Sequence, residues 1–493
     1  MNIKTNLRSA VAAASLLFTS MAWGSTLPAK QALKGNYQLI YSQSPQAVDN
    51  FSDMFKEGIF YGRLRSNTFI YTWEKENAEQ KDHYTSGLGG SLVYQSAIYN
   101  DFDFRGALYY SHGFTNLSQD EAGLMKSGNE VLSRFDYSNT GSQDMGVLGQ
   151  AYIRYSGIKD SDITIGRQLV ETFYTASNDT KMIPNTFDGV VVTTRAVPKT
   201  SIKLAYLAAE KLRGHTDGHS VLVYGDSNSS SSNDPQWDEN NDPAMHKGLS
   251  YTRINEAGVD TKAPLILGDI NNKSIENLSL DASFYVVPEL LSQLMVEGNY
   301  KIDMGDFSLT PGVRYIQQFD DKAGKIGGAS LSGKLAGLTG ASGGYKEADS
   351  LDSGMIAARL VGTYKIFKLN LGYSQIFDEA DLITPWRGFP TAGYTRSMAR
   401  YNWVANTKSY RAELMINNNK TGVYEDVMMQ LSALHTDADE GKGQYDENYY
   451  YAGFTQNLRM MPELQWRFRI GYQDTKKVDA DGVDTRVEVN YLF

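Results

Sequence analysis

The stretch of sequence that decides the fold is the C-terminal segment Thr485-Arg486-Val487-Glu488-Val489-Asn490-Tyr491-Leu492-Phe493. Apolar or aromatic side chains occupy every second position, and they are Val487, Val489, Tyr491 and Phe493. This period of two predicts a β-strand with one apolar and one polar face. The chain ends on an aromatic residue of the apolar face, which is typical of β-barrels in outer membranes. In hydrocarbon a sheet must close on itself, because every backbone group needs a partner.

The N-terminus carries the features of an export signal. Lys4 and Arg8 precede an apolar run over 10–18, and Ala22-Trp23-Gly24 supplies the small residues of a cleavage site. We therefore predict a signal peptide over 1–24. Elsewhere the chain lacks the run of about 20 apolar residues that a spanning helix needs, and its mean hydropathy is −0.41. An exported chain of this kind is expected in the outer membrane of a Gram-negative bacterium, in contact with its lipid and inserted by the barrel assembly machinery.

Composition excludes several classes of function. The 493 residues contain no cysteine, so disulfide scaffolds, thiolate metal sites and cysteine nucleophiles are ruled out. The formal net charge of −10 argues against a nucleic-acid partner. His215 and His219 are four residues apart, but they lie in a glycine-containing loop, so we predict no metal site there. The acidic loops around Asp439 and Asp481 lack the spacing of a calcium loop and are expected to be solvated. No cofactor motif is found.

The alternation recurs along the chain and predicts an all-β fold, a single closed antiparallel transmembrane barrel of about eighteen strands. Short turns and long loops alternate strictly if 254–262 is counted as a strand, although the turn that follows it, 263–276, is then long. A lead-in over 25–56 is expected in the periplasm, and the barrel itself over 57–493. The long loops are expected outside, and they are 114–145, 169–186, 211–253, 320–353 and 378–406. The predicted strands are 59–71, 84–99, 102–113, 146–157, 161–168, 187–194, 201–210, 254–262, 277–287, 290–302, 307–319, 354–366, 368–377, 407–417, 426–436, 447–458, 463–473 and 484–493.

The same alternation tells which charges face the lumen. Because the first and last strands of a barrel are neighbours, five inward arginines should form one wall: Arg63, Arg65, Arg467, Arg469 and Arg486. The ninth and tenth strands turn Asp281 and Glu297 inward on the opposite side. A cationic wall facing carboxylates makes a transverse field, and arginine holds carboxylates in two-point contact. The alternative is that these arginines only pair with lumenal acids such as Glu488.

The third external loop, 169–186, differs from its neighbours in composition. It mixes turn formers with apolar residues, which favours packing inside the barrel over exposure to water. Folded inward, it would narrow the pore and bring Asp179 and Lys181 beside Arg167. The residues that we assign to this constriction loop are Asn178, Asp179, Lys181, Met182, Pro184 and Phe187. A second segment, 385–396, combines aromatics with arginines and is either a vestibule or, by a slight preference, a loop packed on its neighbours.

The segment from Asn178 to Gly189, Asn-Asp-Thr-Lys-Met-Ile-Pro-Asn-Thr-Phe-Asp-Gly, resembles the constriction-loop signature of the OprD family of outer-membrane porins. The segment from Asn50 to Arg65 resembles that family's entry into its first strand. The resemblance implies an eighteen-stranded barrel, a loop-constricted pore and passive uptake of small, often carboxylate-bearing solutes. It also implies that the five arginines are the family's ladder and that Arg167 is its constriction arginine. Lys181 departs from the family by standing where arginine is expected.

These features together predict a porin for selective, passive diffusion of small hydrophilic solutes, with a monomeric or trimeric assembly, no cofactor and no enzymatic activity. A porin of the same fold that passes sugars is the alternative, because some members of the family, including chitoporin-like ones, do so. A barrel enzyme is less favoured because no nucleophile and histidine pair is evident. An adhesin with a plugged lumen is less favoured because the predicted inner faces carry charge, glycine and serine.

Overall fold

The computed structural model describes residues 31–41, 43–223, 246, 249–328, 330–331, 345–347, 349–417 and 427–493. The predicted signal peptide, 1–24, lies outside the described residues, as do parts of the predicted loops 211–253 and 320–353. Within the described residues, eighteen antiparallel strands close into one barrel, and a small hairpin precedes them. The predicted fold class is confirmed.

The hairpin consists of β1 (Gln31–Leu33) and β2 (Leu39–Tyr41). β12 and β13 both pair with β14, so they are one interrupted barrel strand. The barrel strands are β3 (Ile59–Trp73), β4 (His83–Gln95), β5 (Phe102–Thr115), β6 (Asp144–Tyr155), β7 (Ser161–Gln168), β8 (Thr186–Thr194), β9 (Thr200–Lys211), β10 (Leu265–Asn272), β11 (Leu278–Val287), β12 (Leu291–Tyr300), β13 (Ile302–Met304), β14 (Phe307–Asp320), β15 (Ser353–Tyr364), β16 (Phe367–Ile376), β17 (Lys408–Asn417), β18 (Val427–Asp437), β19 (Glu447–Leu458), β20 (Met461–Thr475) and β21 (Gly482–Leu492).

The two ends of the chain close the barrel. β21 pairs with β3 in antiparallel register, with Asn490 opposite Arg65. Beyond the strand, the amide of Gly62 donates to the carbonyl of Phe493 at 2.7 Å, and the amide of Phe493 donates back at 3.1 Å. The C-terminal residue therefore continues the ladder, as a barrel without free edges requires.

One predicted strand is wrong. Residues 254–262 do not form a strand; a helix covers Tyr251–Glu256, capped by the Ser250 side chain, and the strand is β10, which pairs with β9 and β11. The turn after it is therefore short rather than 263–276. β10 does not show the alternation of apolar and polar residues by which the other strands were predicted, because its inner face is also apolar. Leu265 and Leu267 of this face are buried inside the barrel.

Short helices lie in the connections between strands. None of the helices in the described residues is long and apolar enough to cross a membrane. The α-helices are Phe51–Lys56, Arg134–Thr140 and Tyr251–Glu256, and the 3₁₀ helices are Gly35–Tyr37, Gln119–Leu124 and Glu440–Lys442.

The outer face is apolar, and the interior is divided into two halves. Phe60 and Leu64 are 66 % and 59 % exposed on the outside, as the alternation predicts. One half of the interior is an apolar cluster in which Trp386, Tyr394 and Trp403 of the loop 377–407 pack against β10–β16. The other half combines charged side chains with a smaller apolar cluster that includes Phe69, Tyr109 and Met182. The expectation that the inner faces carry charge, glycine and serine therefore omits the apolar residues of both halves.

The N-terminal lead-in is predicted as a periplasmic segment over 25–56. In the structure, residues 31–41 reach the inner face of the barrel. Tyr41 lies beside the inward-facing Tyr61 in a tilted arrangement, with ring centroids 5.5 Å apart, and Leu39 packs on the inner apolar cluster of β3–β6.

Candidate functional site

The five predicted arginines lie together on the wall formed by β20, β21 and β3. The register places Arg467 opposite Glu488, Arg469 opposite Arg486, and Asn490 opposite Arg65. Their exposed fractions are small, and they are Arg63 1 %, Arg65 4 %, Arg467 8 %, Arg469 7 % and Arg486 8 %. All five therefore point away from lipid, as the alternation predicts, and we name them the arginine column.

Acidic side chains neutralise part of the arginine column. Arg65 donates to Glu488 through Nη2 at 2.6 Å, and Arg467 also pairs with that carboxylate. Arg486 makes a two-point contact with Asp484, at 2.9 and 2.5 Å. Arg63 pairs with Asp179 at 2.5 Å, so the alternative interpretation, in which the arginines only pair with lumenal acids, accounts for four of the five. Arg469 differs, since its Nη2 lies 3.9 Å from Glu488 and has no hydrogen-bond partner among the described residues.

The loop 169–185 folds into the barrel and sits on the lower end of the arginine column. Asp179 accepts hydrogen bonds from Arg63 at 2.5 Å and from Arg65 at 2.7 Å. The amide of Asn67 donates to the carbonyls of Thr180 and Lys181. Arg65 also donates to the carbonyl of Asp179 at 2.7 Å, so five charge-assisted or neutral hydrogen bonds from one strand hold the loop across the lumen.

Apolar packing fixes the same loop. Met182, Ile183 and Phe187 are fully buried, and Pro184 is buried with its carbonyl accepting from Lys211. Gly87 of β4 makes room for this packing, because a Cβ there would stand 2.7 Å from Cγ of Met182. The remaining predicted residue, Asn178, turns the chain with φ of 41°.

Two predicted neighbours of this loop are placed differently. Arg167 does not meet Asp179 or Lys181; it pairs with Asp188 at 2.7 Å because the two residues face each other on β7 and β8. Lys181 instead lies 4.0 Å from the ring of Phe69 and 3.9 Å from Glu130. Burial lowers the pKa of Lys181 well below its usual range.

Glu130 is a hub that the sequence analysis missed. This buried carboxylate of the loop 116–143 accepts from Arg213 at 2.6 Å and from Arg387 at 2.7 Å. Burial alone would raise the pKa of Glu130, but Arg213, Arg387 and Lys181 hold it well below its usual range. Four loops meet at this charge. Because the partners are distant in sequence, no local pattern signals the contact.

The predicted acidic wall is already paired. Glu297 binds Arg314 at 2.6 Å and Arg359 at 3.0 Å. Asp281, its neighbour across the ladder, accepts from Asn271 at 2.6 Å. The sequence predicts that Asp281 and Glu297 face inward, without identifying a cation beside them. In the structure, Arg314 and Arg359 of the neighbouring strands offset the charge of Glu297.

A strongly basic cavity of about 600 Å³ opens above the constriction loop. Two carboxylates, Glu130 and Asp484, face it. Eleven cationic side chains line it: Lys126, Arg134, Lys181, Arg213, Arg387, Arg396, Arg400, Arg411, Arg467, Arg469 and Arg486. Three of these arginines pair with carboxylates outside the lining: Arg400 with Glu447, Arg411 with Glu413, and Arg467 with Glu488. Cations still outnumber carboxylates, and a low-dielectric wall concentrates the field of such an excess.

Apart from Lys181, the loop cations of this cavity are not among the site residues predicted from the sequence. Arg396 is surrounded by aromatic rings, with Phe389 4.4 Å and Tyr401 5.3 Å from its guanidinium. Its Nε and Nη1 atoms have no hydrogen-bond partner in the part of the chain that the structure describes. Desolvation inside the barrel lowers the pKa of Arg396 to about 10, and desolvation together with the neighbouring Arg400 lowers that of Lys126 to about 8. The segment 385–396 therefore has features of both predicted roles. Trp386 is buried, as in a loop packed on its neighbours, and Arg396 lines the cavity, as in a vestibule.

The described residues contain no group of three or more metal-ligating side chains suited to a metal ion. The rings of His215 and His219 lie 4.7 Å apart. The acidic loops use their carboxylates internally: Asp439 caps a 3₁₀ turn, and Asp481 accepts from the amide of Thr475.

No protein-family model and no curated protein matches the chain. Solved structures do. The outer membrane protein OpdK of Pseudomonas aeruginosa is 13 % identical, with 88 % of this chain and 99 % of that chain covered and a TM-score of 0.61. OccK9 (OpdG) of the same organism is 13 % identical over 89 % and 99 %, with a TM-score of 0.67. OccAB4 of Acinetobacter baumannii is 14 % identical over 88 % and 98 %, with a TM-score of 0.65. These neighbours are outer-membrane porins of the OprD/Occ family, and the chain has their eighteen-stranded barrel fold.

Proposed function

We propose that the chain is an outer-membrane porin of a Gram-negative bacterium that gives passive, selective diffusion to small anions, above all carboxylates. The proposal rests on the basic cavity, which is lined by eleven cationic side chains and two carboxylates. Three of these cations, Arg467, Arg469 and Arg486, belong to the arginine column. The shared fold with outer-membrane porins supports the channel function and gives no reason to expect catalysis.

The cations without close carboxylate partners are the best candidates to bind the solute. A buried cation that lacks a counterion is costly, and Arg396 and Arg469, whose guanidinium groups carry unpartnered atoms, both line the cavity. An entering carboxylate would supply the missing partner in two-point contact. Because the two sites are separate and neighbouring cations are already paired, an anion can step between weak sites without being trapped.

A matched solved structure holds OpdK with vanillate, a carboxylate. This supports carboxylates as the first solutes to try with the present chain. The same cavity also exposes aromatic side chains, Tyr71, Phe389, Tyr401 and Tyr451, which favours sugars as the second candidate.

Planar-bilayer recording of the purified protein tests the proposal. We expect conductance with anion selectivity in reversal-potential measurements, and faster swelling of proteoliposomes with organic anions than with sugars or cations of equal size. Absence of conductance would overturn the channel function. Conductance with cation selectivity would overturn the anion preference alone.

A further inference from the structure

The hairpin β1–β2 reaches the arginine column from below. The ring of Tyr37, at its tip, lies 3.8 Å from the guanidinium of Arg467. The carbonyl of Tyr37 accepts from Arg63 at 3.1 Å, and the carbonyl of Asn36 accepts from the amide of Asp179 at 2.8 Å. The tip therefore touches the column and the constriction loop at once.

Further contacts tie the hairpin to both sides of the lumen. Gln38 donates to Glu171 at 2.6 Å and to Ser177 at 3.2 Å, both on the constriction loop. The hydroxyl of Tyr37 interacts with the side chain of Thr455 on β19. The tip thus spans from the β3 wall to the β19–β20 wall, across the lower end of the column.

The backbone of the tip is strained. Asn36 and Tyr37 have φ of 57° and 61°, the left-handed region that glycine adopts without cost. A bulky residue there is an outlier, and such strain persists only where surrounding contacts enforce it. A glycine would make the same turn at a lower conformational cost. The tyrosine at this position therefore points to a role for its aromatic side chain in the lumen.

We propose that residues 31–41 are a plug that the chain inserts into its own pore, with Tyr37 occupying the position beside Arg467 that a solute must pass. The inference rests on the proposed channel function. It makes Arg467 a shared site: the ring covers the guanidinium in the plugged state, and the solute reaches it when the strained tip withdraws. Arg63 and Arg65, at 1 % and 4 % exposure, are sealed while the tip and Asp179 are in place.

Single-channel recording of the full chain tests the plug. We expect the plug to close the parent channel for long periods. Tyr37→Ser removes the ring, so this variant should lose those closed periods and carry a higher mean current. Tyr37→Phe keeps the ring and should retain the closures. Ala32→Ser, an exposed position of the same hairpin, is the matched control. Equal closures in Tyr37→Ser and the parent would overturn the proposal.

A reversible cross-link provides a second measurement, in which two states of the same variant are compared. The chain has no cysteine, so Gln38→Cys combined with Ser177→Cys gives one defined pair for a short bifunctional methanethiosulfonate, which joins the two thiols through disulfide bonds and releases methanesulfinate. Cross-linked channels should stay closed, and a thiol reductant, which cleaves these disulfide bonds, should reopen them. If cross-linked channels conduct like reduced ones, the plug is wrong while the porin function stands. If neither form conducts, and a deletion of 31–41 is also silent, the channel function itself fails.

Discussion

The Nη2 atom of Arg469 lies 3.9 Å from the nearest carboxylate oxygen of Glu488, whereas Nη2 of Arg65 lies 2.6 Å from the same carboxylate. The buried carboxylate of Glu488 therefore lies at different distances from the three arginines around it. Arg65 and Arg467 are held by it, and Arg469 keeps its charge facing the cavity. This inequality is the reason that we propose Arg469, rather than Arg65 or Arg467, as the arginine of this wall that binds a passing anion.

We expect Arg469→Gln to lower the anion preference of the channel without unfolding it. A unit charge acts on an anion about 4 Å away with roughly 1 kcal/mol in water-like surroundings, about fivefold in relative occupancy. The measurement is the reversal potential in a salt gradient. Lys262→Gln removes an equal charge from an exposed external position and serves as control. A shift of the same size in both variants would contradict a specific role for Arg469.

Anion selectivity should fall as pH rises through about 8. Desolvation inside the barrel and the neighbouring Arg400 lower the pKa of Lys126 to about 8, so this cavity-lining side chain is charged below that pH and neutral above it. Reversal potentials measured from pH 6.5 to 9.5 should show the loss. In Lys126→Gln the change over the same range should be smaller, with the remainder due to Lys181 and Arg396, whose pKa values are also lowered. A pH dependence that Lys126→Gln leaves unchanged would assign the titration to another group.

The parts of the fold that follow local rules could be predicted from the sequence. Strand alternation placed Arg63, Arg65, Arg467, Arg469 and Arg486 inside, and closure of the barrel made them neighbours. The loop 169–186 was predicted to fold inward from its apolar residues alone. The strand at 265–272 was missed because Leu265 and Leu267 make its inner face apolar, which removes the alternation that the rule depends on.

Contacts between distant loops could not be predicted. Glu130, Arg213 and Arg387 come from three loops, and no spacing relates them. Arg167 was assigned to the constriction because the loop follows it directly, yet its neighbour across the ladder, Asp188, takes its charge. Glu297 was predicted to face inward without its partners, although Arg314 and Arg359 are inward on the next two strands and the same alternation could have found them.

Glu130→Gln should loosen the external loops while leaving the barrel closed. Removing one partner of a buried ion pair costs about 3–5 kcal/mol, and here Arg213 and Arg387 both lose their acid. We expect noisier open-channel current and faster proteolysis of the loops, with an unchanged β-sheet signal in circular dichroism. The parent should be insensitive to acidification from pH 7 to 5, because a depressed pKa keeps Glu130 ionised there and its contribution is lost only below that range. Current noise in the parent that rises at pH 5 would argue against the hub.

Gly87 and Met182 should behave as a coupled pair. A Cβ at Gly87 would stand 2.7 Å from Cγ of Met182, so Gly87→Ala forces the constriction loop away from β4 at a cost of about 1–3 kcal/mol. We expect a higher conductance and a lower urea midpoint of unfolding for this variant. Met182→Ala combined with Gly87→Ala frees the space again and should restore part of the stability, which a double-mutant cycle measures. Strictly additive effects of the two substitutions would mean that the loop does not rest on β4 through this contact.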